Sequence, residues 1–163
     1  MNWNLKYIQW KILWENKSPF ERREPWFCFP ALKWLNKLPK SHWDVLEFGC
    51  GGSTLYFSDN CKSVDSVEHD HGWLINVKNK VKRDNVTFYN YDNYPKDKKY
   101  DLILVDGEDR KYCFHKAKQM LKPHGLIIFD NLDTFDMNKS DFRVFRGYAL
   151  DKAGITTTGL WKG

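Results

Sequence analysis

The chain has 163 residues, of which 42% are hydrophobic and 17% aromatic, with eight Trp. That length allows one sizeable core and is short for two. Lys and Arg outnumber Asp and Glu by 26 to 21, a formal charge of +5, and the plainest reading of so mild a basic excess is solubility. Cys28, Cys50, Cys61 and Cys113 form no CxxC pair, which argues against a metal ribbon or a disulfide framework and for free thiols in a reducing compartment. No apolar run is long enough to cross a bilayer and no signal pattern opens the chain, so a cytoplasmic location is expected.

In chain order, residues 1–17 place Trp3, Tyr7, Trp10 and Trp14 at spacings of four, three and four. That is helical periodicity with four rings on one face. The plain expectation is a helix packed on the domain; a lid, a dimer contact or a membrane-surface helix are the alternatives. Residues 18–40 begin polar, pass through Pro25-Trp26, and suggest a helix over residues 30–38 closed by Pro39, since proline cannot continue the helical hydrogen-bond ladder. Residues 1–40 are read as a helical extension and residues 41–163 as the core of a single domain.

From Ser41 strands and helices alternate. Strands are expected at residues 43–48, 63–67, 86–89, 100–105 and 126–129, and helices near residues 55–58, 71–82 and 110–121. This pattern predicts a Rossmann-like α/β fold: a doubly wound, mostly parallel sheet of order 3-2-1-4-5 in three α/β/α layers. After Asp141 a last helix is expected to about Ala153, then a last strand over residues 155–161, leaving the C-terminal hairpin incomplete.

The sharpest chemical signal is Glu47-Phe48-Gly49-Cys50-Gly51-Gly52-Ser53-Thr54. A strand delivers an acid, then a glycine turn, then a helix start whose free N–H groups Ser53 or Thr54 can cap. Glu68 ends the second strand nineteen residues after Gly49, where an acid faces a ligand over the first turn and can accept ribose hydroxyls. A dinucleotide would need a third glycine where Thr54 stands, and Glu47 would crowd its pyrophosphate with negative charge. An acid there better suits a cation, such as the ammonium of a methionine moiety.

Glu47-x-Gly49-x-Gly51-x-Ser53-Thr54, with Ser66-Val67-Glu68-His69-Asp70 downstream, resembles the class I S-adenosylmethionine-dependent methyltransferases. Within them it is most like the small-molecule and sugar-type subfamily with a Gly-Ser-Thr cofactor turn. Pro25-Trp26, Asp106-Gly107 with Arg110 and Cys113, and Leu121-Lys122-Pro123-His124-Gly125 are similar to further blocks, so the likeness spans residues 25–131. Two departures are Ser53, in place of the turn's third glycine, and His124, where Pro-Gly-Gly is usual.

The resemblance implies S-adenosylmethionine as cofactor. Carried over, Gly49 and Gly51 lie under it, Glu47, Ser53 and Thr54 serve the same turn, Glu68 takes the ribose, His69 shapes the adenine pocket and Asp92 meets the adenine amino group. The catalytic face should lie beyond strands four and five. Asp106 is the candidate base, assisted by Glu108 or Asp109. Asp106, Asp130 and Asn131 are also hard oxygen ligands arranged as in the catechol-type enzymes, where Mg²⁺ holds the acceptor hydroxyl; the lysine those enzymes carry is Asp109 here. Arg110 either anchors an acidic acceptor group or pairs with Glu108.

The expected activity is methyl transfer to an oxygen or nitrogen of a small, sugar-like or phenolic acceptor. A cofactor-binding domain without turnover, motivated by the incomplete hairpin, and an NAD-binding oxidoreductase are the other classes. Nucleic acid is disfavoured as a partner, because Asp106-Gly107-Glu108-Asp109 stands where amino-methylating nucleic-acid enzymes carry Asn-Pro-Pro-Tyr. A homo-oligomer is left open.

Overall fold

Apolar residues of the inner strands alternate between two faces, and that alternation builds two core layers. In the computed structural model, which describes residues 17–149 and 154–163 together with Leu5 and Ile8, the strands are β1 (Asp44–Phe48), β2 (Ser63–Glu68), β3 (Val86–Asn90), β4 (Tyr100–Val105), β5 (Leu121–Asp130), β6 (Arg143–Tyr148) and β7 (Ile155–Lys162). The helices are α1 (Pro19–Arg22), α2 (Phe29–Leu35), α3 (Gly52–Asn60), α4 (His71–Lys80) and α5 (Arg110–Gln119). Leu46, Phe48, Ile103, Val105, Ile127 and Phe129 turn to one face and pack with Phe114 and Ala117 of α5. Val45, Leu102, Leu104 and Ile128 turn to the other, against Leu35 of α2 and Phe57 of α3. The aromatic face of Trp3, Tyr7, Trp10 and Trp14 lies outside the described residues.

The sheet order is β3-β2-β1-β4-β5-β7-β6. Strands β1 to β5 run parallel, as their alternation with helices predicts. Two expectations are corrected. The segment after Asp141 is a strand, not a helix: β6 pairs antiparallel with β7 from Arg143↔Leu160 to Tyr148↔Ile155. Phe142, Phe145 and Ala149 sit three and four apart, which imitates a helix face. The edge of β7, carrying Thr156, Thr157 and Thr158, instead demands a partner strand. The C-terminal hairpin is therefore complete, and β7 adds antiparallel to β5. Among the described residues no helix is long and apolar enough to cross a membrane.

At the amino edge of the sheet Lys122 Nζ lies 2.8 Å from both Asp44 Oδ2 and Asp101 Oδ2, joining β1, β4 and β5. Burial would raise the Asp44 carboxyl, but hydrogen bonds from Lys122 and Ser63 outweigh it and hold the group at about 2. A depressed carboxylate contributes stability above its ordinary value of 3.8 and loses it as pH falls through about 2. Lys122→Ala should therefore cost on the order of 1 kcal/mol near neutral pH. In urea titrations that difference from the native chain should vanish as the pH approaches about 2.

Candidate active site

The carboxyl ends of β1, β2, β4 and β5 meet at one edge, and the chain changes side of the sheet between β1 and β4, where open α/β folds bind ligands. Gly49 makes the first turn possible. Its φ is +99°, and a Cβ there would stand 2.8 Å from the Gly107 nitrogen, so the turn after β1 touches the backbone after β4. Gly51 differs: a Cβ there would meet nothing within 4 Å. Its absent side chain leaves open space above the backbone, a cradle rather than a packing contact.

Glu47 lies under this turn, fully buried. Its carboxylate accepts hydrogen bonds from the hydroxyls of Ser53 (2.8 Å), Ser66 (2.7 Å) and Thr54. Burial pushes the group up to about 7, against the pull of those hydroxyls, and the charge of Asp106 adds to the rise. Thr54 Oγ1 also accepts the Gly51 amide at 3.0 Å. Glu47 thus braces the turn from below.

Glu68 joins the first turn to the second. One carboxylate oxygen accepts the Cys50 amide at 3.1 Å. The other accepts the amides of His69 (2.9 Å) and Asp70 (3.0 Å) and lies 2.7 Å from His69 Nδ1. Asp70 caps α4 through the Trp73 amide at 2.8 Å, and the Trp73 indole N–H donates to the Cys50 carbonyl at 2.8 Å.

Beyond β4 and β5 the organising group is Arg110. Its Nε donates to the Gly107 carbonyl at 3.0 Å. Nη1 donates to the Asp130 carbonyl (2.7 Å) and to Asn131 Oδ1 (3.1 Å). Nη2 donates to the Asp106 carbonyl (2.8 Å) and pairs with Asp106 Oδ1 (3.0 Å). Arg110 thus neither pairs with Glu108 nor offers itself to an acidic acceptor. Burial raises the Asp130 carboxyl well above the ordinary carboxylate value; Asp106 adds to this, while Thr158 and Arg110 oppose it. The Thr158 hydroxyl donates to Asp130 Oδ1 at 2.9 Å and accepts the Cys28 amide at 3.3 Å.

These elements enclose a cavity of about 660 Å³, within the range of small-molecule sites. Of the sequence-predicted residues, Gly49, Gly51, Ser53, Glu68, His69, Asp106, Asp130 and Asn131 line it. Glu47, Thr54 and Asp92 do not. Glu47 and Thr54 are fully buried beneath the turn, and Asp92 is exposed in the turn after β3. Glu24, Cys50, Asp70 and Trp73 also line the cavity without having been singled out. For Trp73 the signal was present: it stands three residues after Asp70, a helix N-cap, on the first turn facing the glycine loop.

The cradle at Gly51, the Glu68 carboxylate beside it and the cavity volume fit a nucleoside cofactor. A divalent ion does not fit Asp106, Asp130 and Asn131. A guanidinium already bridges the Asp106 carboxylate, the Asn131 amide oxygen and the carbonyl of Asp130. Among the described residues no group of three or more His, Cys, Asp or Glu could hold a metal ion.

Two expected outcomes follow from the buried charges. A carboxyl raised by burial loses stability for the fold as pH rises, because the native chain keeps a proton that the unfolded chain has released. For Glu47 the window runs from 4.5 to about 7, and Glu47→Gln should make the pH dependence of the urea midpoint shallower across it. Arg110→Ala leaves the Asp106 carboxylate, the Asn131 amide oxygen and three backbone carbonyls without their donor, and should cost about 3 kcal/mol or more in the same assay. Arg110→Lys should not restore it, since a point ammonium cannot span the fork.

No family model and no curated protein matches this sequence. Solved structures do. A Klebsiella pneumoniae protein provisionally named an O-methyltransferase superposes with a TM-score of 0.65 at 15% identity, covering 99% of this chain and 97% of that one. A conserved hypothetical protein from Streptococcus pyogenes gives 0.60 at 12% identity, over 82% of this chain and 93% of that one. Precorrin-6y C5,15-methyltransferase from Geobacter metallireducens gives 0.57 at 15% identity, over 76% and 82%. Strand order, the glycine turn and these likenesses agree: the chain has the Rossmann-like fold of the class I S-adenosylmethionine-dependent methyltransferases.

Proposed function

We propose that this chain transfers the methyl group of S-adenosylmethionine to an oxygen or nitrogen of a small acceptor. The observation that carries the reading is one cavity with two unlike ends. A glycine cradle and a backbone-anchored glutamate stand at the β1–β2 end, and two carboxylates stand at the β4–β5 end. When bound, the cofactor supplies a methyl carbon on a cationic sulfur.

The chain's own residues then have separate tasks. The open face of Gly51 admits the ligand against the backbone. Glu68, immobilised by three amides, presents its carboxylate to the ribose hydroxyls, and the His69 ring beside it bounds the base. Glu47 holds the turn in register through Ser53, Thr54 and Ser66. Asp106 lines the cavity beside the ends of β4 and β5, and its proposed role is to take the acceptor's proton. As the acceptor is methylated, Asp106 would take the proton that it gives up. Most of the rate comes from aligning the reacting atoms. The alternative of a cofactor binder without turnover drew on a missing strand, and both strands of the hairpin are present.

Gly51→Val tests the reading cleanly. The residue's φ of 172° is extended backbone open to any side chain, and the space beside it is free of protein atoms. The variant should fold with an unchanged melting temperature, yet bind S-adenosylhomocysteine more than about tenfold weaker by calorimetry, about 1.4 kcal/mol or more. Unchanged affinity would remove the cofactor from this turn.

A further inference from the structure

Helix α4 docks on the domain through Leu74 and Val77, both buried in one cluster with Cys50, Leu55 and Val81. Trp73 stands outside that contact. It is 37% exposed and lines the cavity, where the proposed function leaves it without a task. Asp70 caps the helix through the Trp73 amide at 2.8 Å, which fixes the backbone from which the indole reaches the glycine turn.

Both polar ends of Cys50 are held by side chains. Its amide donates to Glu68 at 3.1 Å, and its carbonyl accepts the Trp73 indole N–H at 2.8 Å. The peptide that carries this carbonyl also carries the Gly51 N–H, which donates to Thr54 Oγ1 at 3.0 Å. The Cys50–Gly51 peptide plane is therefore pinned at both ends, and that plane sets how the open face of Gly51 meets a ligand. Because one residue takes both contacts, the indole and the Glu68 carboxylate stand at the same end of the cavity. A tie to the carbonyl alone needs only a donor, which a short amide or hydroxyl side chain supplies. The sequence places a Trp there instead. Phe20 meets part of its ring, with centroids 5.9 Å apart at 40°, yet much of the indole stays uncovered. An indole is an apolar body with a polar handle. Here the handle is committed to the turn and the uncovered body lines a cavity of ligand size, where aromatic surface serves to bury the flat parts of small molecules.

We infer that Trp73 is a cofactor-binding residue: its ring covers the nucleoside whose ribose Glu68 takes, and its indole N–H fixes the Cys50–Gly51 peptide beneath that ligand. The inference rests on the methyl-transfer reading and adds a residue to its donor site. Glu68 supplies the polar part of nucleoside recognition and Trp73 the apolar part.

The test titrates S-adenosylhomocysteine into the whole chain by calorimetry and follows tryptophan emission in parallel. Trp73→Phe keeps a ring and removes the N–H, while Trp73→Leu removes both. The side chain is part exposed and α4 keeps its buried Leu74 and Val77, so both variants should melt close to the native chain. Binding should weaken about threefold in Trp73→Phe and about tenfold or more in Trp73→Leu. The native emission should change as S-adenosylhomocysteine saturates, and most of that change should vanish in Trp73→Phe although the other tryptophans remain. Ile75→Ser, at an exposed position of α4 outside the cavity wall, should leave the affinity within about twofold. Trp73→Leu within about twofold of the native affinity overturns the inference. So does an emission that does not respond in the native chain or responds equally in Trp73→Phe, a reading that stands even where Trp73→Leu fails to fold. A loss in Ile75→Ser as large as that in Trp73→Leu overturns it too, since the effect then belongs to the helix. Failure of S-adenosylhomocysteine to bind the native chain takes down the methyl-transfer reading and this inference together; each of the other contrary results, with normal native binding, overturns this inference alone.

Discussion

Carboxylates buried at one sheet edge are the constraint to which the rest of this structure answers. Glu47, Glu68 and Asp130 are each 5% exposed or less, and a buried carboxylate without partners would cost several kcal/mol. Each is met by its own set of donors. Glu47 takes three hydroxyls, Glu68 takes backbone amides from two turns, and Asp130 takes the Thr158 hydroxyl with Arg110 close by. These solutions dictate local sequence: a Ser-Thr pair opening α3, a serine opposite Glu47 on β2, and a threonine on β7. They also lock the turns into a single geometry, so that the cavity between them is formed before any ligand arrives.

How much of this was legible in the sequence depends on whether the governing contact is local. The parallel sheet was, because runs such as Leu102–Val105 buried on both faces and regularly separated by helices admit few other folds. The glycine turn and Glu68 were legible for the same reason, since their spacing fixes them at adjacent strand ends. Glu47 was misplaced although its strand held the answer. It shares a face with Val45, opposite Leu46 and Phe48, and period-two alternation therefore aims it under α3 instead of into the cavity. The residues of β6 could not be read locally at all. Their apolar spacing imitates a helix, and only the unpaired edge of a distant strand makes them β.

Arg110 shows the same limit in electrostatics. In sequence it stands two residues after Glu108, the partner expected of it, and four after Asp106, the partner it takes. What decides is the approach of β5, which brings a carbonyl and Asn131 to the far side of the guanidinium. Asn131 itself adopts a left-handed conformation with φ of 53°, a strain that a short polar side chain tolerates and that its two side-chain hydrogen bonds help offset.

That a guanidinium, not a metal, joins the two loops has a consequence for the chemistry the site can host. A divalent ion would keep open coordination positions and offer its charge to an incoming oxyanion. The planar fork of Arg110 spends every donor on protein acceptors, so it neutralises the loops without presenting positive charge to the acceptor. The β1–β2 end is shaped by backbone amides held on Glu68 and by the glycine turn, both of which belong to the sheet's own connections. The β4–β5 end is formed by side chains of the two loops that follow those strands, which can change while the sheet stays as it is. Under the methyl-transfer proposal, the donor's end of the cavity is thus tied to the fold, whereas the acceptor's end is open to change.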